Sequence, residues 1–232
     1  MRMALLVAAA GLLGGCAADL PTGTRIATSL SGTGDLQMPV RSMEDRKFSG
    51  TVRQRYDFSC GSAALATLLR FHYGRPLTEQ ATFVGMWRDG DRAAIRRVGF
   101  SLLDMKRYLA GIGLRADGYK VPLDQVRKTG LPGIALITVS GYRHFVVVKG
   151  VTEAEVLLGD PSAGLRVLPR AAFEQAWNGV YFVLNAEQPR GRTAFNQAAQ
   201  WAELPRAPLG AQLADPVSQQ ALALTAPFYR DF

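Results

Sequence analysis

Apolar and polar positions divide the chain into four parts: an apolar leader, an unpatterned stretch, a helical first half and a strand-rich second half. Met3 to Leu13 is a continuous apolar run of eleven residues, well short of the roughly 20 that span a bilayer as a helix. Residues 17–45 carry Pro, Gly, Thr and Ser without sustained periodicity and read as a tether. A strand is expected at Lys47–Arg53. From Cys60 to Tyr73 there is no proline, and Gly61 is the only glycine. Ala63, Ala64, Leu65, Ala66, Leu68, Leu69 and Phe71 make this stretch a mostly buried helix. Asp57 or Ser59 can cap it, and Gly74 ends it. Thr78–Met86 predicts a second helix capped by Thr78. Ser101–Ala110 predicts a third, with Leu102, Leu103, Met105, Tyr108 and Leu109 apolar ahead of Gly111.

After Gly111 the pattern shortens to strand length. Strands are expected at Leu114–Lys120, Gly133–Val139, His144–Val151 and Glu155–Leu158, with a turn at Gly141 and a short helix at Pro122–Arg127. Arg166–Pro169 and Val180–Leu184 are further short strands around a helix at Ala171–Trp177. Helices first and an antiparallel sheet afterwards is an α+β order. The tail holds Pro189, Pro205, Pro208, Pro216 and Pro227, with a helix expected at Thr193–Glu203. The organisation read from this pattern is a leader over 1–15, a tether over 16–45, a folded domain over 46–186 and a partly helical extension over 187–232.

Composition narrows the class. The 232 residues suffice for one domain with a sizeable core, and 48% hydrophobic against 20% charged residues fits a soluble globular protein. The net charge of +8 draws the chain to anionic surfaces. The basic residues are scattered, and no basic run alternates with aromatics, so no nucleic-acid partner is expected. There is no internal repeat and no phosphate-binding glycine loop.

The leader is a targeting segment: Met1-Arg2 is a positive start to the apolar run. Leu13-Gly14-Gly15-Cys16 resembles a lipobox, which implies cleavage and acylation at Cys16 and a membrane partner through a lipid anchor. Ala17 follows the cysteine instead of an aspartate, and the resemblance to diderm lipoproteins then implies the outer membrane, with the domain facing the periplasm. The alternative is an ordinary secretory signal with a cysteine nearby. The chain has two cysteines; if Cys16 is lipidated, Cys60 has no disulfide partner. A lone thiol in an oxidising compartment calls for a use, the alternative being a structural buried cysteine.

Cys60 stands where a helix begins, and the partial positive charge of a helix N-terminus favours a thiolate. Of the two histidines, His72 lies twelve residues along the same helix, roughly 18 Å away at ~1.5 Å per residue. His144 remains as the base. Asp160, sixteen residues further on, would approach His144 if their strands are neighbours and could orient the imidazole. Each alone has a plain reading, a turn histidine and an Asp-Pro turn start. Gln54, six residues before Cys60, could donate to a developing oxyanion beside the Cys60 N–H. Two histidines and two cysteines do not make a metal ligand set, so neither metal nor cofactor is expected.

Three segments taken in order carry a resemblance: Gln54…Asp57-Phe58-Ser59-Cys60-Gly61, then Tyr142-Arg143-His144-Phe145-Val146-Val147, then Gly159-Asp160-Pro161. Over roughly residues 48–184 the chain resembles the bacteriocin-processing, double-glycine peptidases, which are papain-like cysteine peptidases often fused to ABC exporters. The resemblance implies a papain-like α+β fold with Cys60 as nucleophile, His144 as base and acid, Asp160 as orienter and Gln54 in the oxyanion hole. It also implies a peptide or protein substrate cut after a Gly-Gly pair. Exporter-linked members carry transmembrane helices and an ATPase; this chain looks more like stand-alone members that accompany secretion, biofilm and functional-amyloid systems, whose components would then be its partners. Two other readings stay open: a chaperone-like groove that holds Gly-rich segments, and another papain-like acyl transfer such as amidase or transpeptidase chemistry. Phe58, Trp87, Tyr142 and Trp177 are candidate walls of a narrow substrate site.

Overall fold

A six-stranded antiparallel sheet with helices on both faces organises the larger unit of this computed structural model. The structure describes residues 24–28, 36–40 and 42–204. Residues 1–42 and 43–232 form separate units. In the first, β1 (Thr24–Thr28) pairs antiparallel with β2 (Leu36–Val40), a two-stranded ribbon within the stretch read as a tether. The leader and Cys16 lie outside the described residues, as does the chain after residue 204.

The second unit opens with α1 (Met43–Lys47), α2 (Cys60–His72), α3 (Glu79–Asp89), α4 (Arg92–Val98) and α5 (Leu102–Gly111). It continues with β3 (Ala116–Lys120), α6 (Leu123–Thr129), β4 (Gly133–Val139), β5 (Tyr142–Val151), β6 (Glu155–Asp160), β7 (Gly164–Pro169), α7 (Arg170–Ala176) and β8 (Trp177–Leu184). The spatial strand order is β3-β8-β4-β5-β6-β7, with every neighbour antiparallel. The α+β order expected from the sequence is the order observed.

Strand β5 shows why the sheet has two cores. From His144 to Val151 every residue is buried, as a central strand covered on both faces requires. Successive side chains point to opposite faces. Phe145 and Val147 join Leu65, Leu68, Met105 and Leu109 in a core under α2 and α5. Val146 and Val148 join Phe173, Tyr181 and Val183 in the core on the opposite face.

Three expectations need correction. Lys47–Arg53 is not a strand; it is the end of α1 followed by a turn. Glu44 and Asp45 at the start and Arg46 and Lys47 at the end suit a helix dipole. The Val52 N–H then goes to the Thr67 hydroxyl at 2.9 Å in place of a neighbouring strand. Helix α4 was not expected. Its single buried residue, Ile95, gives no apolar stripe to read, and the Asp91 carboxylate starts it by accepting from the Ala93 and Ala94 N–H groups. The helix expected at Thr193–Glu203 is two short ones, α8 (Gln188–Thr193) and α9 (Ala198–Ala202). Between them Asn196 adopts a left-handed φ of 56°, and its amide bonds both the N–H and the carbonyl of Val151 at 2.8 and 3.1 Å. Phe195 beside it is buried in the second core, so the segment around residues 195–196 packs on the same unit.

Candidate active site

Helix α2 places Cys60. Its first turn is made of small residues, and Gly61 permits close packing: a Cβ there would lie 2.9 Å from Phe100 Cβ and 3.0 Å from Met105 Cε. Neither Asp57 nor Ser59 caps the helix with its side chain, contrary to expectation. The Ser59 hydroxyl turns back on its own loop, donating to the Tyr56 carbonyl at 3.0 Å and accepting from the Tyr56 N–H at 3.1 Å. The first-turn N–H groups around the sulfur therefore have no side-chain acceptor, the condition under which a helix start can receive negative charge.

The sheet places the other two groups. His144 is the third residue of β5 and Asp160 the last of β6, its antiparallel neighbour. His144 Nε2–H donates to Asp160 Oδ1 at 2.7 Å. The same oxygen accepts from the Ser162 hydroxyl at 2.7 Å and from the N–H groups of Ser162 and Ala163 at 2.9 and 3.2 Å. Arg166 Nη1 reaches Oδ2 at 3.2 Å. Burial alone would raise the Asp160 pKa, but the hydrogen bond and charge of His144 and the two Ser162 donors hold the carboxyl well below the usual carboxylate range. For His144, burial disfavours the charged ring, yet the hydrogen bonds to Asp160 and to the Cys60 thiol, with their charges, push it up to about 9. With Nε2 committed to Asp160, Nδ1 is the ring nitrogen left for the sulfur. Cys60 is 5% exposed, and His144 6%.

Gln54 joins this group from the loop before α2. Its N–H donates to the Pro161 carbonyl at 3.0 Å, which ties the loop before α2 to the residue after Asp160. Its side chain shares a cavity of about 450 Å³ with His144, Asp160, Ser162 and Arg166, and donates to the Tyr56 carbonyl at 3.2 Å. A second cavity of about 610 Å³ holds Cys60, with Phe58, Leu102, Leu136 and Phe145 on its apolar walls and Arg96 and Arg97 among its lining residues.

Of the candidate wall residues, Phe58 and Tyr142 line these cavities. Trp87 does not; it stacks on Phe83 behind Phe58, with ring centroids 5.7 Å apart. Trp177 packs in the core on the far face of the sheet and donates to the Val180 carbonyl. His72 sits at the other end of α2, against the Ala194 carbonyl, and burial together with the Lys149 charge drives it down to about 3. Sequence reasoning missed Ser162 and Arg166. The Asp-Pro-Ser turn did signal Ser162, since an aspartate readily accepts the N–H groups two and three residues on; Arg166, six residues on, had no such signal. Among the described residues no group of three or more His, Cys, Asp or Glu side chains could hold a metal ion.

The Peptidase C39 family model matches residues 49–188. The chain is 42% identical over 156 residues to the probable functional amyloid protease FapD of Pseudomonas aeruginosa, across 67% of this chain and 69% of that one. It is 43% identical over 148 residues to the probable functional amyloid protease FapD of Pseudomonas fluorescens, across 64% and 66%. Among solved structures it is similar to the peptidase domain of Streptococcus ComA, a bifunctional ABC transporter involved in quorum sensing. The TM-score is 0.50 at 19% identity over 58% of this chain and 96% of that domain, a likeness of fold. The family match takes in α2, the whole sheet and all four candidate residues, and the chain belongs to the peptidase C39 family of cysteine peptidases.

Proposed function

We infer that this cysteine peptidase is an exported, lipid-tethered endopeptidase that cuts after small residues of the Gly-Gly kind in a secreted, amyloid- or biofilm-related protein. The observation that carries the chemistry is His144 Nε2 at 2.7 Å from Asp160 Oδ1, with Cys60 at an uncapped helix start on the other side of the ring. In this reading the Cys60 thiolate attacks the scissile carbonyl carbon. The carbonyl π pair moves onto oxygen, and the oxyanion accepts hydrogen bonds from the Cys60 N–H and the Gln54 amide. The His144 imidazolium gives its Nδ1 proton to the departing amine as the C–N bond breaks, leaving a thioester on Cys60. Neutral His144 then takes a proton from water, the hydroxide oxygen adds to the thioester, and the thiolate leaves with the carboxylic acid product. Asp160 stays ionised throughout and keeps the ring oriented.

The tether reading rests on Leu13-Gly14-Gly15-Cys16, and the substrate reading on the motif resemblance and on the FapD relatives. The full chain and its Cys60→Ala variant, produced in a host with a lipoprotein pathway, test both. Mass spectrometry should find the new N-terminus and the acyl groups on Cys16, and fractionation should find the protein with the outer membrane. Gly-Gly peptides should be cleaved by the wild type alone, with water as acceptor even when an amine is added. Equal cleavage by Cys60→Ala, or amine capture as the main product, would overturn the hydrolase reading; an unmodified Cys16 would overturn the tether.

A further inference from the structure

Two residues stand between the two cavities. Asp57 and Tyr142 line both, whereas Cys60 lines only the larger and Gln54, His144 and Asp160 only the smaller. They are joined: the Tyr142 hydroxyl donates to the Asp57 carbonyl at 2.6 Å. The Tyr142 ring lies 6.2 Å from the His144 ring, and Tyr142 is 52% exposed, while Cys60 and His144 are nearly closed off from solvent.

Both ends of this bridge are held. Tyr142 opens β5 directly after a tight turn in which Ser140 and Gly141 have φ of 50° and 80°. Its partner β4 pairs with it from the first residue, Val139 against Tyr142. Asp57 lies between Tyr56 and Phe58, whose rings stack at 5.7 Å and pack in turn on Phe83. The backbones at both ends are thus fixed, and the bridge opens by rotation of the Tyr142 side chain with loss of its one hydrogen bond.

We propose that the Tyr142–Asp57 bridge is the specificity device of the site: it stands where the cavity of Cys60 meets the cavity of His144, and admits past it only a stretch of substrate without side chains. The inference rests on the peptidase reading. For the scissile carbonyl to meet Cys60 Sγ while its leaving nitrogen meets His144, the substrate backbone must pass from one cavity into the other, and Asp57 and Tyr142 are the residues that line both. A glycine pair fits as bare backbone; a Cβ would have to displace the tyrosine or break its hydrogen bond.

The test uses the full chain, Tyr142→Ala and Tyr142→Phe, with peptides that differ only in carrying Gly-Gly or Ala-Ala at the cut. A steric exclusion of this kind should give the wild type a kcat/KM preference for glycine of about 100-fold, falling below about 10-fold in Tyr142→Ala. Tyr142→Phe, which keeps the ring and loses the bond, should fall between. A second readout does not depend on proteolysis: alkylation of Cys60 by iodoacetamide and by a bulky pyrenyl maleimide, read at that residue by mass spectrometry. Tyr142→Ala should raise the maleimide-to-iodoacetamide rate ratio about 10-fold, a steric effect of the same order. An unchanged alkylation ratio overturns the bridge as a gate, and an unchanged glycine preference overturns it as the specificity device. A shifted alkylation ratio with no peptide cut by the wild type supports the gate and overturns the Gly-Gly reading instead.

Discussion

Asp160 Oδ1 lies 2.7 Å from His144 Nε2 and takes three more donors from Ser162 and Ala163, so one carboxylate oxygen both orients the imidazole and closes the β6–β7 turn. Asp160→Asn presents an amide where four donors converge. We expect kcat to fall roughly 10³-fold or more through loss of ring orientation, and the unfolding midpoint to drop because a neutral amide replaces the charged acceptor of these donors. Single-turnover kinetics and urea denaturation on the same preparation check both effects; a stability loss with unchanged kcat would remove Asp160 from the mechanism.

The pH dependence follows from the same pair. His144 is pushed up to about 9, so the ring keeps its proton through neutrality. Acylation should decline as pH climbs through about 9, when the proton needed by the leaving amine is lost. The stability contribution has a definite sign. A group raised above its ordinary 6.5 contributes fully below that value and loses its contribution as pH rises to about 9. Asp160, held low, contributes above the ordinary carboxylate range and loses that contribution as pH falls toward its folded value. A kcat/KM profile and a denaturation series across pH, repeated on His144→Ala, test this; the variant should lack the alkaline decline in stability assigned to His144.

Lys149 supplies an opposing slope. It is fully buried, donates to the Gly50 carbonyl at 2.6 Å, and burial drives its pKa down to about 8 despite Glu203 nearby. Between about 8 and the ordinary 10.5 the unfolded chain binds more protons than the folded one, so this lysine adds stability as pH rises through that interval. Lys149→Met removes that gain. Its stability should fall more steeply than the wild type's from pH 8 to 10, as measured by urea midpoint.

Gln54→Ala isolates the proposed oxyanion donor. Its backbone bond to the Pro161 carbonyl survives the substitution, so the loop should hold. Removing one donor of this kind typically costs ~10²–10³ in kcat. We expect that loss with KM little changed and an unchanged thermal midpoint.

Gly61→Ala should separate packing from chemistry. The added methyl meets Phe100 and Met105 at contact distances that require a shift, an overpacking cost of about 1–3 kcal/mol. Because the shifted atoms adjoin Cys60, kcat should fall more than the fraction folded does; circular dichroism and active-site titration on one sample compare the two.

The parts legible in the sequence were those set by local pattern or by elimination. Helix α2 announced itself by an apolar run closed by Gly74, which takes a φ of 61° and lets the Arg75 N–H return to the Leu69 carbonyl. The placement of His144 beside Asp160 followed from two strands at hairpin spacing. What stayed hidden depends on partners distant in the chain. The Tyr142 bond to Asp57 joins residues 85 apart, and the Asn196 amide that replaces a rung of β5 joins residues 45 apart. Helix α4, with one buried side chain, carries no periodicity to find. The expected cap at Ser59 failed because the hydroxyl bonds both backbone groups of Tyr56, on the loop side of the helix start.

Eleven of the thirteen positions of α2 are buried, from Cys60 itself to His72. A surface helix frays from its ends, whereas one enclosed along its length opens only when the surrounding core opens. Heating should therefore leave no partly melted form with its thiol released while the sheet persists. Thermal inactivation and global melting should coincide, and the backbone amides of α2 should exchange with solvent as slowly as those of β5.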